Sequence, residues 1–167
     1  VHLYAPRNLR RNLYALNING TRNFGSNDLN FSFIEEQATR HSPIIGWAYD
    51  GNPIYGPYGY ARPQGGRIRR MRSGYRRIRS NNRPSEAKYP LGYFVNDYVW
   101  SNVGDLDEHN GRFCKTPDFP EGRYCYFATI GNRISNDGPF KGFFPPQFPY
   151  LVGDSFRSRP VEIGRAS

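Results

Sequence analysis

The frequency of glycine and proline limits the folds open to this chain more than any other feature. The 167 residues include 18 Gly and 14 Pro, spread along the whole length. Proline and glycine both disfavour long helices, and their spacing lacks the strict period of collagen. The 12 Phe and 13 Tyr supply much of the area available for a core. An all-β fold is therefore expected, with long ordered loops and little helix, as a small sandwich or barrel-like domain with extended arms.

Alternating apolar residues mark several of the expected strands. Residues 14–24 predict a hairpin around Asn19-Gly20, and residues 29–34 alternate again as a strand. Residues 91–100 are rich in aromatic and β-branched types, which predicts a strand or a pair of strands. Residues 35–40 have a helix-compatible composition, but only for a turn or two.

The second half of the chain contains the clearest hairpin pattern. Residues 112–115 and 123–130 flank a turn-rich segment, and pairing about its midpoint places Cys114 opposite Cys125. A disulfide between them is possible. Cys125 could instead form a nucleophile pair with His109, but its position within a strand favours a small buried side chain. In the first half, Asp50-Gly51-Asn52-Pro53 predicts a turn.

Arginine is concentrated in one segment of the chain. The net charge is +9, and nine arginines lie within residues 62–83, which predict a basic loop or irregular hairpin, with a short helix as the alternative. Nine guanidinium groups would repel one another in an isolated domain, so contacts with carboxylates or carbonyls of neighbouring chains are expected. A solvated loop, nucleic acid and a surface polysaccharide are the alternatives. The expected partner-binding residues are Arg67, Arg69, Arg70, Arg72, Arg76, Arg77 and Arg79, with Tyr60 and Tyr75 beside them.

Carboxylates and imidazoles that could bind a divalent cation are present, but their spacing is not diagnostic and lacks the length and acidic terminus of an EF-hand loop. A solvated turn or a capping role accounts for them as well. The chain also lacks the glycine-rich and catalytic motifs of nucleotide-binding proteins, serine hydrolases and zinc proteases. We therefore expect no catalysis, no cofactor and no resident metal. The six weak metal candidates are His41, Asp50, Asp105, Asp107, Glu108 and His109.

The segment from His41 to Tyr60 reads HSPIIGWAYDGNPIYGPYGY and resembles the YHYH domain family. Residues 71–75, 105–112 and 116–124 continue the resemblance in the order that the family would have them, so that it covers roughly residues 40–150. The Tyr-His-Tyr-His strand that gives the family its name corresponds to Tyr124-Cys125-Tyr126-Phe127, in which both histidines are replaced. A role that depends on those histidines therefore does not transfer to this chain.

The flanking sequence is similar to versions of this domain in virion proteins of marine tailed phages, including cyanophages. The resemblance implies a non-enzymatic structural component of a tail, baseplate or fibre, located in the virion and contacting other virion subunits in an oligomeric assembly. A carbohydrate- or receptor-binding module at a fibre tip is the alternative, and a metal-dependent hydrolase is the third. No membrane contact is expected. The expected parts are an N-terminal basic arm and hairpin (1–39), the YHYH-like β domain (40–152) and a polar C-terminal tail (153–167).

Overall fold

The computed structural model describes residues 39–159 together with Leu9 and Arg10. The hairpin predicted at 14–24, the strand at 29–34, most of the short helix at 35–40 and the end of the tail lie outside these residues. Within the described part, no helix has the length and apolarity to cross a membrane.

The all-β prediction is confirmed. Eight short strands form, and the 3-10 turns Val95–Asp97 and Gly138–Phe140 are the helical elements of residues 39–159. The strands are β1 (Ile44–Trp47), β2 (Pro53–Tyr55), β3 (Tyr58–Arg62), β4 (Gly65–Arg70), β5 (Tyr75–Arg77), β6 (Tyr98–Trp100), β7 (Gly111–Cys114) and β8 (Arg123–Phe127).

One four-stranded sheet and two ribbons contain these strands. The sheet has the order β1-β2-β8-β7, in which β2 and β8 are parallel and the other pairs are antiparallel. The ribbons pair β3 with β4 and β5 with β6. The arginine-rich segment therefore forms strands β4 and β5 rather than the alternative helix.

The predicted turn at Asp50 joins β1 to β2. Its backbone closes through hydrogen bonds from Ala48 N to Asn52 O and from Gly51 N to Ala48 O, each 2.9 Å long. Gly51 has a φ of 78°, a conformation that glycine adopts without the steric cost of a side chain. The side chain of Asp50 accepts hydrogen bonds from the Asn52 backbone and amide. The local sequence therefore determines this turn.

The prediction for residues 91–100 is correct only in part, because the strand is confined to Tyr98–Trp100. The cause is Asp97, whose carboxylate accepts hydrogen bonds from the backbone N–H groups of Gly92 and Phe94. The guanidinium of Arg83 pairs with the same carboxylate at 2.5 Å. These bonds draw residues 92–97 into a compact loop around a buried charge.

The predicted pairing of the two cysteines is wrong in its register. Arg123 lies opposite Cys114, and Arg112 lies opposite Cys125, so the cysteines are diagonal neighbours on one face. The register is shifted by two residues from the midpoint pairing, since Cys114 pairs with Arg123 instead of Cys125, and the loop between the strands contains two consecutive turns. Hydrogen bonds join Thr116 to Phe119 in both directions, and the Gly122 N–H then donates to the Phe119 carbonyl.

Two apolar clusters fill the interior of the described part. The first lies against the inner face of the four-stranded sheet, and the second packs the β3–β4 ribbon against the chain that follows β8. Tyr55 and Phe127, in the first cluster, are both 0% exposed and stack with ring centroids 5.7 Å apart. The first cluster contains Tyr55, Met71, Leu106, Cys114, Cys125 and Phe127, and the second contains Tyr58, Ala128 and Ile130.

Replacing Phe127 with alanine should lower the free energy of unfolding by about 3–5 kcal/mol, because it leaves a cavity beside Tyr55. Phe113, on the neighbouring strand, is 66% exposed and offers the matched control. Phe113→Ala should change the free energy of unfolding by at most about 0.5 kcal/mol. Equal losses in denaturant titrations of the two variants would contradict this description of the core.

Candidate functional site

The arginine-rich segment forms ion pairs within its own chain. Asp105, whose side chain is 6% exposed, accepts hydrogen bonds from the guanidinium groups of Arg69 and Arg72. Burial opposes the ionisation of Asp105, but hydrogen bonds from Arg72 and the nearby guanidinium charges hold its pKa below the usual value. These contacts attach the β4 end of the segment to the loop before β7.

Three other arginines of the predicted partner-binding set also have partners in this chain. Arg70 donates to the carbonyl of Ile130 at 2.6 Å, and Arg77 donates to that of Leu91 at 3.3 Å. Arg79 pairs with Glu86 at 2.6 Å. The premise that the arginines require neighbouring chains to avoid mutual repulsion is therefore wrong for five of the seven. Sequence spacing could not reveal that carboxylates and carbonyls from distant loops approach them.

Within the arginine-rich segment, residues 62–83, exposed cationic charge without a partner is left at three positions. Arg62, Arg67 and Arg76 are exposed, and the described part of the chain provides no hydrogen bond or ion pair to their guanidinium groups. We call these three residues the arginine surface. Arg62 and Arg67 line a cleft of about 810 Å³ at the tip of the β3–β4 ribbon. Arg76 lies opposite Val99, which is 36% exposed, on the β5–β6 ribbon.

The two tyrosines expected beside the arginines make other contacts. The Tyr60 ring lies 5.1 Å from the ring of His41, and its carbonyl accepts a hydrogen bond from Arg112. The Tyr75 hydroxyl donates to the carbonyl of Glu108 at 2.6 Å, and its ring packs against Phe148. Both tyrosines therefore connect parts of the domain to each other.

The six metal candidates do not form a common site. Among the described residues, no three His, Cys, Asp or Glu side chains lie close enough together to hold a metal ion. Asp50 accepts from Tyr126 at 2.7 Å, and Asp107 accepts from Tyr124 at 2.8 Å. Asp105 binds arginines, as described above, while His41 lies among buried aromatic rings. The Nε2 atom of His109 lies 3.7 Å from the Glu108 carboxylate.

The side chains of β8 alternate between two different environments. Tyr124 and Tyr126 point to the outer face of the sheet, where their hydroxyls donate to Asp107 and Asp50. Cys125 and Phe127 point into the first apolar cluster. This separation into two faces follows from the alternation of side chains along a strand. The ring of His41 lies 5.9 Å from that of Phe127, so this histidine has aromatic neighbours.

Part of the segment predicted as a polar tail binds the outer face of the sheet. The backbone N–H of Arg157 donates to the Tyr126 hydroxyl at 2.8 Å, and that of Ser158 donates to Asp50. Phe156 packs against Tyr49 with ring centroids 6.0 Å apart. Sequence reasoning missed this contact, although Phe156 within a polar stretch was a signal for it.

Cys114 and Cys125 are buried free thiols in the first apolar cluster. The neighbouring Cys125 thiol and the guanidinium of Arg112 lower the pKa of the Cys114 thiol, while burial acts in the opposite direction. Cys114 and burial raise the pKa of Cys125. The disulfide stays a prediction, which a redox titration can test.

The fold and these contacts define a small aromatic β domain. The model of the family described as YHYH protein matches residues 22–137. This chain therefore belongs to the YHYH family. No curated protein and no solved structure gives a significant match.

His41 predicts a specific pH dependence of stability. Burial lowers its pKa below 6.5, and the Arg112 charge acts in the same direction. The unfolded chain therefore binds a proton at His41 more strongly than the folded chain does. The stability that neutral His41 contributes is complete above pH 6.5 and is lost as the pH falls through its folded-state pKa. When the pH is lowered from 7.5 to about 5, the denaturant concentration at the midpoint of unfolding should fall less in His41→Gln than in wild type. His109→Gln is the matched control, and a decline equal to that of wild type in His41→Gln would contradict the assignment.

Oxidation should join Cys114 to Cys125, because diagonal neighbours on an antiparallel pair need only a small backbone shift. After incubation with oxidised glutathione, denatured wild-type protein should show no titratable thiol and no added glutathione by mass spectrometry. Cys114→Ser, incubated in the same way, should retain a thiol or carry a glutathione adduct. Two titratable thiols in the oxidised wild-type protein would contradict the pairing.

Proposed function

We propose that this protein is a non-enzymatic structural component of a phage virion, in the tail, baseplate or fibre, and that it acts through contacts with other virion subunits. The observation that carries this proposal is the arginine surface. Arg67 and Arg76 of the predicted set are exposed and unpaired among the described residues, as is Arg62, whereas the other five arginines of that set are held by their own chain.

Unpaired guanidinium groups on short ribbons suit a protein interface. Arginine is enriched in such interfaces because its planar donors bind carboxylates in pairs and its stem covers apolar surface. Val99 beside Arg76 supplies an apolar contact at the same position. A ribbon of two strands also leaves unpaired backbone groups at its edges, to which a neighbouring chain can add.

The charge of the protein indicates the kind of partner. With a net charge of +9, association with an acidic subunit surface would be accelerated by electrostatic attraction and weakened by salt. The internal ion pairs of Asp105 and Asp97 keep the ribbons in place, so that the three free arginines are presented on a fixed framework. The sequence resemblance provides the virion context for this assembly role.

A carbohydrate- or receptor-binding module at a fibre tip is the second candidate. It is favoured by the exposed aromatic side chains Trp47 and Tyr49, which are 57% and 79% exposed. Trp47 also contacts the guanidinium of Arg123, at 5.7 Å from its ring centroid. Exposed aromatic rings beside polar groups are the usual components of sites that bind sugar rings.

Charge reversal of the arginine surface tests the assembly function. The triple variant Arg62→Glu, Arg67→Glu and Arg76→Glu should fold with a near-native circular dichroism spectrum but should be absent from purified particles. The matched control reverses three other exposed cations, Arg133, Lys141 and Arg159. The control variant should enter particles normally.

Quantitative mass spectrometry of the particles gives the measurement. Incorporation of the triple variant at the level of wild type would reject the arginine surface as the assembly contact. Loss of binding to nucleic acid or to a cell-surface polymer, with normal incorporation, would assign the arginines to an anionic ligand instead.

A further inference from the structure

A cleft of about 530 Å³ opens on the outer face of the four-stranded sheet, beside Tyr124 of the YHYH strand. Its volume is within the range of small-ligand sites. The position is separate from the arginine surface, since none of Arg62, Arg67 and Arg76 lines it. The residues that do are Asp107, Phe113, Tyr124, Arg157 and Ser158.

Phe113 provides an aromatic platform at this cleft. The side chain is 66% exposed, although it stands opposite Tyr124 in the sheet. One edge of its ring lies over Gly122, where a Cβ atom would come within 2.9 Å of Phe113 Cε1. Gly122 has a φ of 99°, a conformation that favours glycine. The ring is thus supported from below and remains largely open to a ligand.

Arg157 provides an unpaired cation above the same strand. Its guanidinium lies 5.8 Å from the centroid of the Tyr124 ring, and the described residues place no carboxylate within ion-pair distance of it. The backbone of Arg157 is fixed separately, through its N–H bond to the Tyr126 hydroxyl. A guanidinium positioned in this way can donate two parallel hydrogen bonds to a carboxylate.

Asp107 provides a hydrogen-bond acceptor at the third side of the cleft. Its Oδ1 atom accepts from the backbone N–H groups of His109 and Gly111 and from the Tyr124 hydroxyl. The Tyr124 hydroxyl shares its one proton between Oδ1 and Oδ2, and it is the donor that the described residues provide to Oδ2, at 2.8 Å. A carboxylate oxygen has room for two donors, so Oδ2 can accept another hydrogen bond from a ligand hydroxyl.

We propose that this cleft binds a saccharide unit that carries a carboxylate, as a uronic acid does. The apolar face of the sugar ring stacks on Phe113, the sugar carboxylate binds Arg157, and a ring hydroxyl donates to Asp107 Oδ2. A simple anion would be repelled by Asp107, whereas a sugar acid presents a carboxylate and a hydroxyl donor on one ring. The inference does not rest on the assembly function, because it uses a different surface.

Glucuronic acid and glucose are the matched probes, because they share a ring and differ only in the carboxylate at C6. In NMR titrations of the purified protein, glucuronic acid should perturb the resonances of the cleft residues and bind at least about tenfold more tightly than glucose. Arg157→Gln should abolish this preference. Phe113→Ala, which removes an exposed side chain, should weaken the binding of both sugars.

The control is Arg133→Gln, which removes an exposed arginine that does not line the cleft. It should retain wild-type binding. The proposal is overturned by equal affinity for the two sugars, by the absence of binding, or by wild-type affinity for glucuronic acid in Arg157→Gln. Tighter binding of uridine monophosphate than of glucuronic acid would assign the cleft to a nucleotide and would also overturn it.

Discussion

The parallel pairing of β2 with β8 is the contact on which the rest of this structure depends. It joins Ile54 and Tyr55 to Tyr126 and Phe127, which are more than seventy residues away in the sequence. The Ala128 N–H extends the pairing by donating to the Tyr55 carbonyl at 2.8 Å. Tyr55 then stacks on Phe127, and its buried hydroxyl hydrogen-bonds to Thr116 and Asp118. The cleft beside Tyr124 lies on this central sheet.

Four aspartate side chains hold loops of this domain in place, a role that packing in a larger hydrophobic core would otherwise have. Asp97 and Asp105 bind arginines, while Asp50 and Asp107 bind the two tyrosine hydroxyls of β8. Each carboxylate also accepts backbone N–H groups, so each one fixes a loop. A chain with many glycines and prolines has few regular elements, and such charge-assisted hydrogen bonds are stronger than neutral ones. Asp50, Asp105 and Asp107 therefore have structural roles, although the sequence allowed them as metal ligands.

Sequence patterns correctly predicted those features of the fold that depend on residues close together in the chain. The turn at Gly51, the two faces of β8 and the scarcity of helix all follow from glycine conformation, side-chain alternation and proline content. The loop around Asp97 and the register of Cys114 did not follow, because each depends on hydrogen bonds between residues whose approach is set by the folded chain. Arg70 and Arg77 donate hydrogen bonds to backbone carbonyls elsewhere in the chain, and no sequence pattern predicts those contacts.

The sequence by itself determined the all-β class, the YHYH membership and the presence of an unusual arginine content. Composition and short motifs are sufficient for these, since they depend on residue type and on neighbours along the chain. Only the tertiary structure decided which arginines are neutralised and which are exposed, and only it brought Phe113, Arg157 and Asp107 to one cleft. The physical reason is that ion pairing and cleft formation depend on distances in space, and long-range strand pairing fixes those distances.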